Sequence, residues 1–138
     1  MIFSDTISFG TKGFSDMIDM THHVEKVLNS SGIKNGLLTV FCPGSTGSVT
    51  TIEYESGVLK DLQKAIEKIV PSNIPYEHDR RWGDGNGFSH VRAALMKPGI
   101  TIPCMDGRLA LGTWQQIVFI DFDNHRRERR IIVQVIGE

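Results

Sequence analysis

The chain is poor in the features that would commit it to a specialised class. It has only two cysteines, Cys42 and Cys104, far apart and in no paired metal spacing. They read as free thiols in a reducing compartment, each a small buried hydrophobe beside proline at the edge of an apolar run. The competing reading makes Cys42 a nucleophile, its pKa lowered by backbone N–H groups of the loop that follows. No apolar run approaches the roughly 20 residues of a membrane-spanning helix. The N-terminus, MIFSDTISFG, lacks the basic start and apolar middle of a signal peptide. A cytoplasmic protein without a membrane partner is therefore expected. Positive charge is not in excess either: the formal net charge is −1, which argues against a general electrostatic grip on nucleic acid. With 40% hydrophobic and 22% charged residues over 138 positions, one ordinary globular domain spanning residues 1–138 accounts for the composition.

Chemistry-bearing residues concentrate between Trp82 and Gln116, WGDGNGFSHVRAALMKPGITIPCMDGRLALGTWQQ. Asp84, Asn86, His90, Asp106, Thr113, Trp114 and Gln115 stand there among six glycines. Glycine supplies positive φ and lets backbone approach a ligand closely, so this mixture suggests a shaped site, although a run of tight turns has the same composition.

Periodicity places these residues on elements. Ile2 to Phe9 alternates as an opening strand, and Gly10 and Gly13 mark a turn. Thr21 is placed as the cap of a short helix carrying Val24, Val27 and Leu28, stopped by Ser30, Ser31 and Gly32. His22 and His23 are adjacent, point to different sides and read as surface residues. Gly36 to Phe41 and Ser48 to Tyr54 are strand-like. Between them CPGSTG reads either as an anion nest of backbone N–H groups or as a plain hairpin turn; it lacks the lysine and glycine spacing of a P-loop. Glu55 to Val70 is the longest helix, with Val58, Leu59, Leu62, Ile66 and Ile69 on one stripe and Pro71 at its end. Pro71 to Gly87 reads as a long loop, of a kind that commonly carries function. A short helix continues from His90 through Met96, and Thr101 to Cys104, Arg108 to Leu111, Gln116 to Phe122 and Arg129 to Ile136 complete the strands. Seven or eight strands with two or three helices predict an α+β fold, a β-rich single domain with a mostly antiparallel sheet or sandwich.

Four groups are candidates to converge: the Gly44-Ser45-Thr46 turn with Thr51 and Glu53 beyond it, His78, the trio Asp84, Asn86 and His90, and Thr113-Trp114-Gln115. Histidine serves as metal ligand or proton carrier, and Asp and Glu as ligands or bases. We assign catalysis to Glu53, Asp84 and His90. Substrate binding falls to Gly44, Ser45, Thr46, Thr51, Asn86, Thr113, Trp114 and Gln115, and metal binding to His78 and His90. The interval between the two histidines matches no compact zinc motif, so a divalent ion (Zn or Mg) is allowed without being demanded.

The segments VFCPGSTGSVTTIEYESG, YEHDRRWGDGNGFSHVRAALM and TIPCMDGRLALGTWQQIVFIDFDNHRRERR, with the ending IVQVIGE, resemble the YjbQ family, often labelled secondary thiamine-phosphate synthase. The resemblance implies a small β-rich domain that assembles as a homotrimer, with a polar pocket near the subunit contacts. It also implies weak transferase activity on phosphorylated pyrimidine and thiazole substrates, with loss of pyrophosphate. Two departures bear on a metal site. Many family members carry histidine and threonine where this chain has Gly44-Ser45, and a further histidine where it has Phe88; a three-histidine site would be depleted here, leaving His78 and His90 with Glu53 or Asp84. Metal-assisted hydrolysis through His90 and Glu53, and non-catalytic binding of a phosphorylated metabolite, are the alternatives.

Overall fold

The computed structural model, which describes residues 1–138, holds eight strands and four helices. They are β1 (Ile2–Thr11), β2 (Asp16–Asp19), α1 (Thr21–Ser31), β3 (Gly36–Phe41), β4 (Gly47–Ile52), α2 (Ser56–Ile69), α3 (Glu77–Trp82), α4 (Gly87–Met96), β5 (Gly99–Met105), β6 (Arg108–Leu109), β7 (Gln116–Asp121) and β8 (Arg127–Gly137). Strands pair antiparallel throughout, as a five-stranded sheet in the order β1-β8-β3-β5-β6 and a three-stranded sheet in the order β2-β7-β4. The α+β reading with antiparallel sheets holds.

The small sheet lies between the large sheet and two helices, and β7 shows why. Ile117 and Phe119 point into a core shared with Leu38, Val40, Ile131 and Val133 of the large sheet. Val118 and Ile120 point the other way, joining Phe122 against Met17, Ile66 of α2 and Ala93 of α4. A strand buried on both faces reads as a continuous apolar run. In contrast β8 alternates, with Arg129, Ile131, Val133 and Val135 buried and Arg130, Ile132, Gln134 and Ile136 exposed. The outer face of the large sheet therefore carries Ile2, Leu37, Phe41, Ile132 and Ile136 toward solvent.

Several expectations are corrected. CPGSTG is no hairpin turn, because β3 and β4 belong to different sheets and the segment crosses between them. The stretch from Pro71 to Gly87 contains α3, a helix too short to show an apolar period, and β2 is likewise too short. Thr21 does not cap α1: its hydroxyl donates to Asp19 Oδ1 at 2.6 Å and accepts the Ile117 N–H at 3.0 Å, tying the helix to β7. The α2 stripe is narrower than expected, since Ile69 is exposed. Glu55 caps this helix by accepting the N–H groups of Gly57 and Val58, and these bonds hold its carboxyl below the ordinary range.

Candidate functional site

Gly83, at φ 70°, ends α3 in the left-handed conformation, and Gly85 at φ 68° turns the chain again before α4 begins at Gly87. Gly87 permits the two helices to touch: a Cβ there would lie 2.6 Å from the Tyr76 Cβ and 3.2 Å from the His78 Cβ. Its N–H donates to Asp79 Oδ1 at 2.8 Å, so α3 also supplies an acceptor for the start of α4. The result is that the rings of His78 and His90 lie 4.4 Å apart between centroids, tilted by 37°. His78 Nδ1 is buried and has no hydrogen-bond partner; Asp84 Oδ1 at 3.4 Å and Asp79 Oδ1 at 3.8 Å are near without bonding geometry. Asn86 is also buried, and its Oδ1 has no partner although its Nδ2 donates to Asp123 Oδ1 at 3.2 Å. Buried polar atoms are nearly always paired, so two orphans in the lining of one cavity leave donor and acceptor capacity for a further partner.

The buried side chains of the facing wall are paired. Arg129 donates through Nε to Asp121 Oδ2 at 2.7 Å and through its terminal nitrogen to Asp121 Oδ1 at 2.8 Å, and again to Thr46 Oγ1 at 2.8 Å. Thr11 donates to Asp121 Oδ2 at 2.6 Å. Asp123 accepts from Thr46 Oγ1 and from Arg127, each at 3.1 Å, and from the Asn124 N–H at 2.8 Å. Burial alone would raise both carboxyls, but Arg129 on Asp121, and the Asn124 N–H, Asn86 and Thr46 on Asp123, hold them below the usual range. Burial likewise pushes the Cys42 thiol up, despite Arg129 nearby. Cys42 is thus a poor nucleophile, as the buried-thiol reading expects.

Between the walls lies a polar cavity of about 650 Å³, bordered also by Gly44, Ser45, Trp82 and Arg130. No hydrogen bond engages the backbone N–H of Ser45 or Thr46, and Arg130 has no ion-pair partner. The cavity thereby brings together Gly44, Ser45, Thr46, His78, Asp84, Asn86 and His90. It does not include Glu53, Thr51, Thr113, Trp114 or Gln115. The cavity meets β4 at its Thr46 end, and at ~3.3 Å per residue Glu53 lies about 20 Å further along. There Gln115 Nε2 donates to Thr51 Oγ1 at 3.1 Å, Trp114 is exposed, and Thr113 and Gln115 border a separate cleft beside α1. Position 88 is corrected as well. Phe88 lies two residues from His90, hence on another face of α4, with Arg92 4.9 Å above its ring. A histidine there would not join His78 and His90 in this arrangement.

Asp121, Asp123, Arg127 and Arg129 were not singled out from the sequence. Their signal is alternation: FIDFD and RERR place like charges two apart, on one side of a strand.

A family model described as UPF0047 protein YjbQ-like matches residues 5–138. The chain belongs to the YjbQ/UPF0047 family. A UPF0047 protein of Methanothermobacter thermautotrophicus is 39% identical over 137 residues, covering 99% of this chain and 94% of the relative. YugU of Bacillus subtilis, also a UPF0047 protein, is 31% identical over 96% of this chain and 98% of its own length. Among solved structures, a YbjQ-like protein of unknown function from Sulfolobus solfataricus superposes with a TM-score of 0.95 at 30% identity, covering 100% of this chain and 99% of that one. A member from Clostridium acetobutylicum gives 0.87 at 33% identity over 96% and 99%. The family is thus common to the relatives and the fold to the two solved structures, and none of the four descriptions names a reaction.

Proposed function

We propose that the histidine cavity binds a small phosphorylated metabolite beside a divalent ion, and that the protein is a small cytosolic transferase of the YjbQ type. The observation that carries this reading is the orphaned pair His78 Nδ1 and Asn86 Oδ1, in a cavity that also presents Arg130 and the free N–H groups of Ser45 and Thr46. Imidazole nitrogens beside a carboxylate fit a divalent ion, and two imidazoles favour zinc over magnesium. His78, Asp79 and Asp84, whose ligand atoms all lie within 4.8 Å of one another, would hold it, with the His90 ring beside them and Asn86 Oδ1 as a further oxygen donor. Bound there, the ion supplies the positive charge that the cavity itself lacks. Arg127, Arg129 and Arg130 line the walls together with Asp84, Asp123 and Glu128, so protein charges nearly cancel.

In its finer form the reading is thiamine-phosphate synthesis. The thiazole nitrogen attacks the methylene carbon of the pyrimidine pyrophosphate, the C–O bond breaks, and pyrophosphate leaves with the electron pair. No proton has to be removed in that step. Stabilising the leaving anion is then the main task, which suits Arg130 and the Ser45 and Thr46 N–H groups and leaves Glu53 without a necessary part. Trp82, exposed at the rim, offers a face for a flat ring.

Self-association as a homotrimer belongs to the same proposal. Its support is the uncovered face of the large sheet, where apolar side chains meet solvent, and closed symmetry is the common way to cover such a face. Light scattering giving a monomer mass at micromolar protein would remove it.

The functional test combines metal analysis with turnover of the two thiamine precursors. Stoichiometric metal and turnover, both lost in His90→Ala, are expected. Metal binding without turnover of any substrate would instead favour a binding protein for a phosphorylated metabolite.

A further inference from the structure

A second cavity, of about 390 Å³, lies between the β1–β2 connection, α2 and α4, and shares no lining residue with the histidine cavity. Lys60 and Lys64, one helical turn apart on α2, stand on its border, and neither is engaged in an ion pair. Arg92 forms part of its wall with only 6% of its side chain exposed, donating to the Val70 carbonyl at 2.9 and 3.1 Å and to Glu67 at 2.5 Å. Glu67 is the one carboxylate in the lining. Three cations against one carboxylate make a local positive excess in a chain whose net charge is −1.

The remaining wall is aromatic and strained. Phe88 lies beneath Arg92, and Phe14 borders the cavity while 68% exposed. Gly13, Phe14 and Ser15 are three consecutive residues at positive φ, 72°, 53° and 65°. A bulky side chain in this region is an outlier. The backbone is pinned there because the N–H groups of Phe14 and Ser15 each donate at 2.7 Å, to the carbonyls of Asp123 and Asp121. Those bonds need only backbone, and glycine would make them with less strain. A phenyl ring held in a costly conformation and left largely to solvent gains little from the fold, and such strain gathers at binding sites.

We propose that this second cavity binds a small anion carrying a flat apolar group, an aryl phosphate in chemical class. Lys60 and Lys64 take the anion, Arg92 adds its field from the wall, and Phe14 closes over the ring.

The test is calorimetric titration of the full-length protein with phenyl phosphate and, separately, with inorganic phosphate at low salt. This cavity should take one phenyl phosphate per protomer, in addition to any taken by the histidine cavity, about 10-fold more tightly than inorganic phosphate, a preference equal to one favourable ring contact. Lys60→Ala/Lys64→Ala should weaken binding by at least about 10-fold. Phe14→Gly should erase the preference for the aryl ester while raising Tm, since glycine accepts the left-handed backbone. His90→Ala should keep this site. Absence of binding, equal affinity for the two probes, no loss in the double lysine variant, or loss of this site in His90→Ala would each overturn the proposal, the last by placing the probe in the histidine cavity.

Discussion

The two walls of the histidine cavity are built on opposite rules. On the β7–β8 side Asp121, Arg129, Thr46, Asp123 and Thr11 are all buried and all paired. On the α3–α4 side His78 Nδ1 and Asn86 Oδ1 are buried and unpaired, and Asp84 is half exposed. A satisfied network spends its donors on the fold; an unsatisfied one keeps them for a ligand. On the proposed reading the buried Asp121–Arg129–Asp123 network is scaffold, and the ligand is held by the unpaired α3–α4 groups together with Arg130 and the Ser45 and Thr46 N–H groups. Substitutions on the two sides should separate stability from function.

The largest effect is expected on the scaffold. Asp121→Ala leaves the Arg129 guanidinium buried without its partner and should lower stability by about 3–5 kcal/mol, measured by chemical denaturation. A loss below about 1 kcal/mol, the size of a surface pair, would show that water reaches the network. Ile66→Ala, which truncates a side chain 6% exposed in the second core, should cost about 2–5 kcal/mol and serves as the purely apolar reference.

Next come the α3–α4 residues. Asp84→Ala and His90→Ala should reduce turnover by about 10²-fold or more, through loss of the ion's charge beside the leaving anion, while thermal melts stay within a few degrees of the parent. Glu53→Ala sharpens the point, because Glu53 lies outside the protomer's cavity: unchanged turnover is expected if each copy's cavity is complete. A loss matching that of Asp84→Ala would show that a neighbouring copy brings Glu53 to the site.

A smaller effect follows from acid. The carboxyls of Asp121 and Asp123 are held below their ordinary range in the folded chain, so as pH falls the unfolded chain takes up protons first. Their contribution is complete above the unfolded value of about 4 and fades as pH drops through the lower folded values. Stability should thus be flat from neutral to about pH 5 on this account and fall below it. Asp121→Asn should flatten the acid limb, and an acid limb identical to the parent's would contradict the assignment.

The smallest effect is Phe14→Gly, expected to stabilise by about 1 kcal/mol through relief of left-handed backbone, the usual scale of that strain.

How legible was this in the sequence? The strands were, because alternation in β8 and the apolar run of β7 are direct images of one-sided and two-sided burial. The convergence of Gly44 to Thr46 with His78, Asp84, Asn86 and His90 was legible from composition, glycines and polar groups together. Three things were not. The α3 helix spans only Glu77–Trp82, less than two turns, so no period can emerge. Glu53 and Thr113 to Gln115 sit in motif-like segments, but motif membership says nothing about which end of a strand faces a cavity, and β4 carries Glu53 away. Asp121 and Arg129 are buried side by side on strands of different sheets; charge at those positions reads from sequence as surface until the cross-sheet contact is known.

The central claim is that the unpaired wall holds a ligand, and titration of zinc into metal-free protein tests it most directly. The account predicts one ion per protomer with a rise in Tm, lost in His78→Ala and His90→Ala and kept in Ser45→Ala. No saturable binding, or binding that survives the His78→Ala/His90→Ala double substitution, would contradict it.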